Sequence, residues 1–232
     1  MSKNLTVSAL GKTQDFWKDF YANSIASGKL RSEPSPFAQW CLEKHLTENS
    51  RILEFGCGNG RDSFAFMHNN LSVFAIDGSE VAIQDNIIHL ESNPCDSEVC
   101  FTAMNFSYLD SLKEHHNDVL SKVNTVYSRF VLHAIPEKIE NKILNFVTNL
   151  LPSGTAMWHE FRTTKDPLMH EGEVLSETER FTDHYRRFLD TDKFRDKLSN
   201  LGWEESYFIE SNGLATFGKE DPVVARVGAI KK

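Results

Sequence analysis

The sequence predicts an α/β protein with a doubly wound, mostly parallel seven-stranded sheet, a C-terminal antiparallel strand, helices on both faces and an N-terminal helical lid. Strand-like apolar runs alternate with segments of helical periodicity after Ser50. This alternation implies right-handed crossovers and therefore a parallel sheet. The tail after Gly202 has no helical pattern between its strand-like runs. Because a tight turn cannot join parallel strands, the tail predicts a hairpin.

Two helices are predicted before the first strand. Phe16, Trp17 and Phe20 stand at helical spacing. Ser35 can cap a second helix that begins at Pro36, because proline suits the first helical turn. These two helices form the predicted lid.

The remaining elements follow in alternation. The runs typical of strands are Ile52–Phe55, Val73–Ile76, Val99–Ala103, Val123–Tyr127 and Thr155–Trp158. Helices are predicted over Ser79–Leu90, Glu137–Leu151 and Asp192–Leu201. A further helical pattern follows the glycine-rich turn in "FGCGNGRDS".

That turn predicts a ligand site at the carboxyl edge of the first strand. Gly56, Gly58 and Gly60 allow a close approach of the backbone to a ligand. Their spacing differs from the dinucleotide fingerprint, and the Lys of a phosphate loop is absent. Glu54 and Asp62 flank the turn and would repel a phosphate. The pattern therefore favours a cationic ligand such as S-adenosylmethionine.

Four motifs carry a family resemblance. The run "ILEFGCGNGRDS" resembles the first motif, E/D-x-G-x-G-x-G, of the class I (Rossmann-like) S-adenosylmethionine-dependent methyltransferases, and "VFAIDGS" resembles their second motif. The run "NTVYSRFVLHAIPE" is similar to the region after their fourth strand, and "LLPSGTAMW" to the turn before the fifth. The resemblance covers about residues 50–160.

The resemblance implies a set of cofactor contacts. Glu54 and the backbone at Gly56, Gly58 and Gly60 would hold the methionine end of S-adenosylmethionine. Asp77 would accept hydrogen bonds from both ribose hydroxyls.

The adenine contacts depart from the family pattern. Family members often carry an Asp after the third strand, whereas this chain has Asn105, which can still accept a hydrogen bond through its carbonyl. Met104 and Phe106 would flank the adenine ring, with plain core packing as the alternative. The predicted cofactor set also includes Asp62, Gly78 and Ser128.

The acceptor side is predicted from two regions. A sulfonium is already an activated methyl donor, so the protein must position the acceptor and, for a neutral acceptor, supply a base. Arg129 and His133 follow the fourth strand, and His133 or His184 is the candidate base. The segment Glu160–Asp190 is longer than an ordinary connection, and insertions of this kind are commonly functional.

The insertion is rich in arginine. Arg162 directly follows the fifth strand, and the adjacent Arg186 and Arg187 could not share one helix face. An arginine cluster favours an anionic group, because the guanidinium fork matches phosphate and carboxylate. A solvated charged helix with Glu–Arg pairs is the alternative. The predicted substrate-binding residues are Tyr21, Arg162, Arg180, Tyr185, Arg186 and Arg187.

One domain is expected for 232 residues of ordinary globular composition, with 40% hydrophobic and 25% charged residues. The predicted divisions are a lid over 1–49, a cofactor-binding half over 50–160, a substrate-binding insertion over 161–190, and the last helix with its hairpin over 191–232.

Charge and cysteine content limit the partners. A net charge of -8 argues against nucleic-acid binding. The sequence shows no apolar stretch of membrane-spanning length and no signal peptide, so we expect a cytoplasmic protein without membrane insertion. The cysteines are expected to be free thiols, with a Cys95–Cys100 disulfide as the alternative. No metal is predicted, because no group of residues shows metal-ligand spacing.

The sequence therefore predicts a S-adenosylmethionine-dependent O-methyltransferase, monomeric or homodimeric. The expected acceptor is small, polar and anionic: an oxygen of a phosphorylated or acidic sugar, or the end of a surface glycan. The runs "YSRFVLHAI" and "EFR…DHYRRF" look like methyltransferases associated with bacterial surface-polysaccharide modification. The alternatives are a thiol or metalloid methyltransferase and a non-catalytic S-adenosylmethionine-binding module.

Overall fold

The computed structural model describes residues 2–27 and 33–232. The predicted lid range 1–49 therefore includes a few residues, Met1 and 28–32, that lie outside the described part.

A seven-stranded sheet forms the centre of the described fold, in the order β3-β2-β1-β4-β5-β10-β9. Its strands are β1 Arg51–Phe55, β2 Ser72–Asp77, β3 Val99–Ala103, β4 Thr125–Arg129, β5 Ala156–Arg162, β9 Trp203–Ser211 and β10 Val224–Lys231. Strands β1 to β5 pair in parallel, and β10 is antiparallel to both β5 and β9. The predicted fold class, including the C-terminal hairpin with its antiparallel strand, is confirmed.

Helices cover both faces of this sheet. They are α1 Ser2–Ala26, α2 Pro36–Lys44, α3 Arg61–His68, α4 Glu80–Ser92, α5 Asp110–Leu120, α6 Glu137–Leu150 and α7 Thr191–Asn200. The three helices predicted after the second, fourth and fifth strands have bounds within two residues of α4, α6 and α7. Ser35 caps α2 as predicted, because its hydroxyl accepts a hydrogen bond from the backbone N–H of Ala38.

Two hydrophobic cores lie on opposite faces, because successive side chains of a strand point to opposite sides of the sheet. Leu53 and Phe55 of β1 join the core that α5, α6 and α7 cover. Ile52 joins the core beneath α2, α3 and α4. Strands β1, β2, β4 and β5 thus place side chains in both cores, which leaves their carboxyl ends as the place where side chains can meet a ligand.

The insertion after β5 forms a second, three-stranded antiparallel sheet. Its strands are β6 Glu173–Val174, β7 Glu179–Phe181 and β8 Tyr185–Arg187. The alternative of a solvated charged helix is therefore wrong for this segment. Helix α1 packs across this small sheet: Ala9 lies in a cluster with Leu175 and Tyr185, and the hydroxyl of Thr13 accepts a 2.8 Å hydrogen bond from the Tyr185 backbone.

The four cysteines are free, so the structure contains no Cys95–Cys100 disulfide. Within residues 2–27 and 33–232, no helix is long and apolar enough to cross a membrane. The same residues contain no cluster of three or more His, Cys, Asp or Glu side chains that could hold a metal ion.

His159 is a titratable group inside the core. It stands opposite Ser128 across β4 and β5, and its Nδ1 lies 2.7 Å from the Ser128 hydroxyl. Its Nε2 is buried without a hydrogen-bond partner among the described residues. Burial lowers the pKa of His159 to about 4, because the charged imidazolium would lose its hydration.

This burial predicts a pH-dependent stability. Between pH 6.5 and about 4 the unfolded His159 binds a proton that the folded one does not, so the free energy of unfolding falls as the pH is lowered. The group contributes at most ~1.4 kcal/mol per pH unit. His159→Asn, which keeps a polar side chain toward Ser128, should reduce this slope in urea titrations. His115→Asn, at an exposed position of α5, is the control and should retain it. An unchanged slope in His159→Asn would contradict the assignment.

Candidate active site

The glycine turn lies where β1 ends and α3 begins. Gly56, Gly58 and Gly60 have φ angles of +71°, +50° and +72°, in the left-handed region that favours glycine. The backbone N–H groups of Gly56 and Cys57 donate to the carbonyl of Ile76 at 2.7 and 3.2 Å. The turn is therefore anchored to the last residues of the neighbouring strand β2.

Asp77 ends β2 and fixes the turn from the side. One of its carboxylate oxygens accepts a hydrogen bond from the Gly58 N–H and the other from the Ser79 N–H, both at 2.8 Å. Burial raises the pKa of Asp77, and the two N–H groups oppose this effect by stabilising the carboxylate. Each oxygen keeps lone-pair capacity for a further donor, so the carboxylate can still accept two ligand hydroxyls.

The two acidic residues that flank the turn face into the protein. Glu54 is buried and accepts a hydrogen bond from the hydroxyl of Ser63, and burial together with the charge of Asp62 raises its pKa to about 8. Asp62 accepts hydrogen bonds from the N–H and the hydroxyl of Ser35 and from the Tyr127 hydroxyl, each at 2.8 Å. Asp62 therefore ties the start of α2 to α3 and β4.

The end of β3 lies at the same edge. The side-chain oxygen of Asn105 accepts a 2.9 Å hydrogen bond from the Ser107 N–H, and Asn105 is exposed. Phe106 packs edge-on against Phe55 at a ring distance of 5.8 Å. Gly78, between Asp77 and α4, is also exposed. The structure thus brings the predicted adenine and ribose contacts to one edge of the sheet.

Helix α1 and the chain after β4 cover the glycine turn. A Cβ added at Gly58 would lie 2.3 Å from the Tyr21 hydroxyl, and one added at Gly56 would lie 2.2 Å from Val131 Cγ2. Burial, reinforced by the charge of Asp77, raises the pKa of Tyr21 well above its ordinary value, so the phenol stays protonated. A ligand that uses the turn and Asp77 must lie against Tyr21 or displace it.

The residues of the turn fit S-adenosylmethionine in their chemistry. The backbone at the three glycines presents no side chain, and a partly shielded carboxylate faces the position where a ribose would bind. The backbone N–H groups of Gly56, Cys57 and Gly58 are already hydrogen-bonded within the protein, so the turn is held in place before a ligand binds.

A row of charges crosses the end of the sheet beside the turn. Arg129, Glu160 and Arg226 are aligned on β4, β5 and β10. The fully buried Glu160 carboxylate accepts from the Nε of Arg129 at 3.0 Å and from the Nε of Arg226 at 2.8 Å. Two arginines share one carboxylate, so the row carries a net positive charge.

Phe130 turns the chain directly after this row. Its φ of +59° is uncommon for a residue with a bulky side chain, and such strain often occurs at functional sites. The Phe130 N–H donates to the Glu160 carbonyl at 2.9 Å. The Arg129 guanidinium lies over its ring at 4.3 Å, and that of Arg162 lies 5.7 Å away. His133 packs edge-on at 5.0 Å.

His133 is buried and held in one tautomer. Its Nδ1 accepts a hydrogen bond from the Arg162 backbone N–H at 3.2 Å, so the ring proton resides on Nε2. Burial lowers the pKa of His133 well below its ordinary value, and the positive charges of Arg162 and Arg186 lower it further. The ring is therefore a neutral hydrogen-bond donor at Nε2.

His184 lies beneath α1. Its ring is 4.6 Å from that of Phe16 and 4.9 Å from that of Trp17. Its Nδ1 is 3.1 Å from the Asp183 carboxylate, although the two are not aligned for a hydrogen bond. Burial and the charge of Arg186 lower the pKa of His184 to about 4 despite that carboxylate. This second predicted base is thus also a neutral imidazole.

The arginines of the insertion divide into two groups. Arg162 pairs with Asp166 at 3.1 Å and with the more exposed Glu220 at 2.7 Å. Arg186 pairs with Asp183 at 2.7 Å. These two arginines lie near His133, whose pKa both lower. The first group therefore lies beside His133.

The second group supports the small sheet. Arg187 is buried and contacts Glu140 of α6, and its backbone N–H donates to the His133 carbonyl at 2.7 Å. Arg180 donates to backbone carbonyls of its own segment, including that of Glu179 at 2.8 Å. The Tyr185 hydroxyl donates to the Glu179 carboxylate. In this structure, the side chains of these predicted substrate contacts are engaged within the protein.

Sequence reasoning gave no site role to Phe130, Glu160, Arg226 or Val131. The strand register would have aligned Glu160 with both arginines once the C-terminal strand was placed. No sequence pattern indicates the positive φ of Phe130.

Comparison with known proteins agrees with this geometry. A family model described as a methyltransferase domain matches residues 46–206. Sequence comparison with curated proteins gives no significant match.

Several solved structures have the same fold. A SAM-dependent methyltransferase from Methanosarcina mazei has 17% identity and a TM-score of 0.67, covering 82% of this chain and 96% of its own. A SAM-dependent methyltransferase from Anabaena variabilis has 13% identity and a TM-score of 0.66, covering 94% and 95%. The glycopeptide N-methyltransferase MtfA complexed with S-adenosylmethionine has 15% identity and a TM-score of 0.63, covering 88% and 96%.

The family match spans more than half of the chain, and the sheet order agrees with it. The chain therefore belongs to the class I S-adenosylmethionine-dependent methyltransferases.

Proposed function

We propose that this protein transfers the methyl group of S-adenosylmethionine to an oxygen of a small anionic acceptor, such as a phosphorylated or acidic sugar or the end of a glycan. The observation that carries the proposal is that Arg129, Arg162 and the buried His133 all lie against the ring of Phe130. Arg186 is near enough to lower the pKa of His133 together with them. We expect the enzyme to act in the cytoplasm, as a monomer or homodimer.

The electrostatics of this edge favour an anion. The whole chain carries a net charge of -8, yet the row Arg129–Glu160–Arg226 is positive and lies beside the glycine turn. A buried positive group attracts an anion more strongly than a solvated one, because water screens it less. A thiol or metalloid acceptor would be better served by an apolar pocket, so this edge does not favour that alternative.

The residues of this chain have separate tasks in such a transfer. When bound, S-adenosylmethionine supplies an activated methyl group. Asp77 and the glycine turn orient the donor, and Tyr21 and Val131 close the space above the turn. The arginines near His133 hold the acceptor, so that its oxygen can approach the methyl group in line.

The first prediction concerns the donor. Asp77→Ala removes the acceptor of two ribose hydroxyls and also releases the N–H groups of Gly58 and Ser79. Hydrogen bonds to a charged group contribute about 1.5–3 kcal/mol each, so the affinity for S-adenosylmethionine should fall by at least roughly 100-fold. Calorimetry measures it, and Asp96→Ala, at an exposed position, should bind as the wild type does. Absence of binding to the wild-type chain would contradict the proposed function.

The second prediction separates backbone strain from ligand contact. Gly58→Ala and Gly154→Ala both place a side chain at positive φ, +50° and +87°, which costs about 1–2 kcal/mol of stability. Only Gly58 faces Tyr21, whereas Gly154 has no described atom within 4 Å of the added carbon. Both variants should lose stability in urea titrations, but only Gly58→Ala should lose affinity for S-adenosylmethionine. Equal affinities in the two variants would show that the turn does not hold the donor.

The third prediction concerns the acceptor. Arg186→Ala should raise KM for a phosphorylated or acidic sugar by about tenfold, because one charge-assisted contact is lost. The affinity for S-adenosylmethionine should not change. Arg195→Ala, whose guanidinium pairs with Glu205 on the far side of α7, is the matched control and should leave both constants unchanged. A parallel loss of donor affinity in Arg186→Ala would assign this arginine a structural role.

A further inference from the structure

We infer that the acceptor oxygen is itself the anion, a phosphate or carboxylate oxygen, and that Arg129 binds this group while no side chain of the protein removes a proton. The inference rests on the proposed function and deepens it, because it names the atom that receives the methyl group. It also assigns a role to Arg129 that differs from that of the other arginines.

The tautomer of His133 excludes this residue as a general base. A general base must offer a free lone pair to the acceptor hydroxyl. The Nδ1 lone pair of His133 is already used by the Arg162 backbone N–H, and Nε2 carries the proton. His133 can therefore donate a hydrogen bond to an anionic oxygen, but it cannot accept a proton from a hydroxyl in this arrangement.

The other titratable groups around the turn are also engaged or unsuitable. His184 has its ring against Phe16 and Trp17. Both oxygens of Glu160 accept from arginines, and Asp77 holds two backbone N–H groups.

Two further groups lie close to the turn. Burial raises the pKa of the Tyr21 phenol well above its ordinary value, so that it stays neutral. Glu54 is buried, and its carboxyl group accepts a hydrogen bond from the Ser63 hydroxyl.

The terminal nitrogens of Arg129 are available to a ligand. Within the described residues, only its Nε has a hydrogen-bond partner, the Glu160 carboxylate. Arg162 uses both terminal nitrogens on carboxylates, at Asp166 and Glu220. The two terminal nitrogens of Arg129 thus have no hydrogen-bond partner among the described residues. A guanidinium fork of this kind binds phosphate or carboxylate with high geometric specificity.

Arg129 is held in place before a ligand binds. Glu160 fixes its Nε, Arg226 fixes Glu160 from the other side, and the ring of Phe130 supports the guanidinium face. Val131, two residues further on, contacts Gly56 of the turn. Arg129 therefore lies beside the glycine turn, where an anion bound to its guanidinium would be close to the methyl group of S-adenosylmethionine.

Methyl transfer to an anionic oxygen needs no base. The anionic oxygen donates an electron pair to the methyl carbon, the bond between that carbon and sulfur breaks, and its electrons remain on sulfur. The acceptor loses one negative charge as the sulfonium loses its positive charge, so a carboxylate becomes a neutral ester and a phosphate monoester dianion becomes a monoanionic diester, and no proton is released. The products are S-adenosylhomocysteine and a methyl ester of the phosphate or carboxylate.

Anion binding tests the inference without turnover. The full chain is saturated with S-adenosylhomocysteine and titrated with inorganic phosphate or acetate, with binding followed by amide chemical shifts. We expect saturable binding that Arg129→Met weakens by at least about tenfold, the effect of one lost charge-assisted pair. Arg129→Lys keeps the charge beside Glu160 and should keep the fold. Its affinity for phosphate and acetate should still fall, because an ammonium group cannot bind two oxygens of one anion as a guanidinium does. Arg195→Met should bind as the wild type does.

The position of the methyl group tests the chemistry. Glucose 6-phosphate and galacturonate serve as anionic probes, with glucose and galactose as their neutral partners. We expect methylation of the anionic probes alone, a methyl phosphate diester that resists phosphomonoesterase or a carboxylate ester that alkali cleaves, and equal rates in H2O and D2O. Methyl transfer to a hydroxyl, or to none of the anionic probes, would overturn the inference.

The outcomes distinguish the two proposals. A chain that binds neither S-adenosylmethionine nor S-adenosylhomocysteine would contradict the proposed function. A chain that binds S-adenosylhomocysteine but no anion, or that binds anions equally well in Arg129→Met, would overturn the inference alone.

Discussion

Two hydrogen bonds, from backbone N–H groups to one carboxylate, organise the rest of this structure. Asp77 accepts from Gly58 in the turn after β1 and from Ser79 at the start of α4. With the Ile76 carbonyl bonded to the turn as well, the carboxyl ends of β1 and β2 and the starts of α3 and α4 are fixed together. The residue that donates to Asp77 from the turn has to be a glycine. Any side chain at Gly58 would meet Tyr21 and would have to adopt a positive φ.

The row of charges beside the turn is built around a second buried carboxylate, that of Glu160. Removing such a charge from water is costly, and two arginines compensate for it. The result is a net positive edge next to a turn that suits a cationic donor. The two carboxylates are separated along one sheet edge, with Asp77 at the turn and Glu160 between the arginines. In the proposed function this separation lets the edge bind a cationic donor and an anionic acceptor. Helix α1 and the small sheet then enclose this edge from outside.

The core of the fold was predictable because its elements carry strong local signals. The runs that became β1 to β5 are bounded by polar residues and turns, and Ser35 with Pro36 marked the start of α2. The glycine turn and Asp77 were predictable because their spacing reflects a backbone requirement. These signals depend on neighbours along the chain.

The remainder depends on neighbours in space. Strands β6 to β8 are two or three residues long and charged, so they show no periodicity, and α5 buries only Leu112 and Leu120. The sequence does not reveal that Asp62 is bonded within the protein, because its partners Ser35 and Tyr127 lie 27 and 65 residues away. The free fork of Arg129, in contrast with the engaged Arg187, is likewise set by carboxylates from other elements.

The most direct test of the central claim is a crystal structure of the full chain grown with S-adenosylhomocysteine. The account predicts ligand density along the glycine turn, with both ribose hydroxyls on the Asp77 carboxylate and the ring of Tyr21 against the ligand or displaced from Gly58. Ligand bound away from the turn, or a ribose without contact to Asp77, would contradict it.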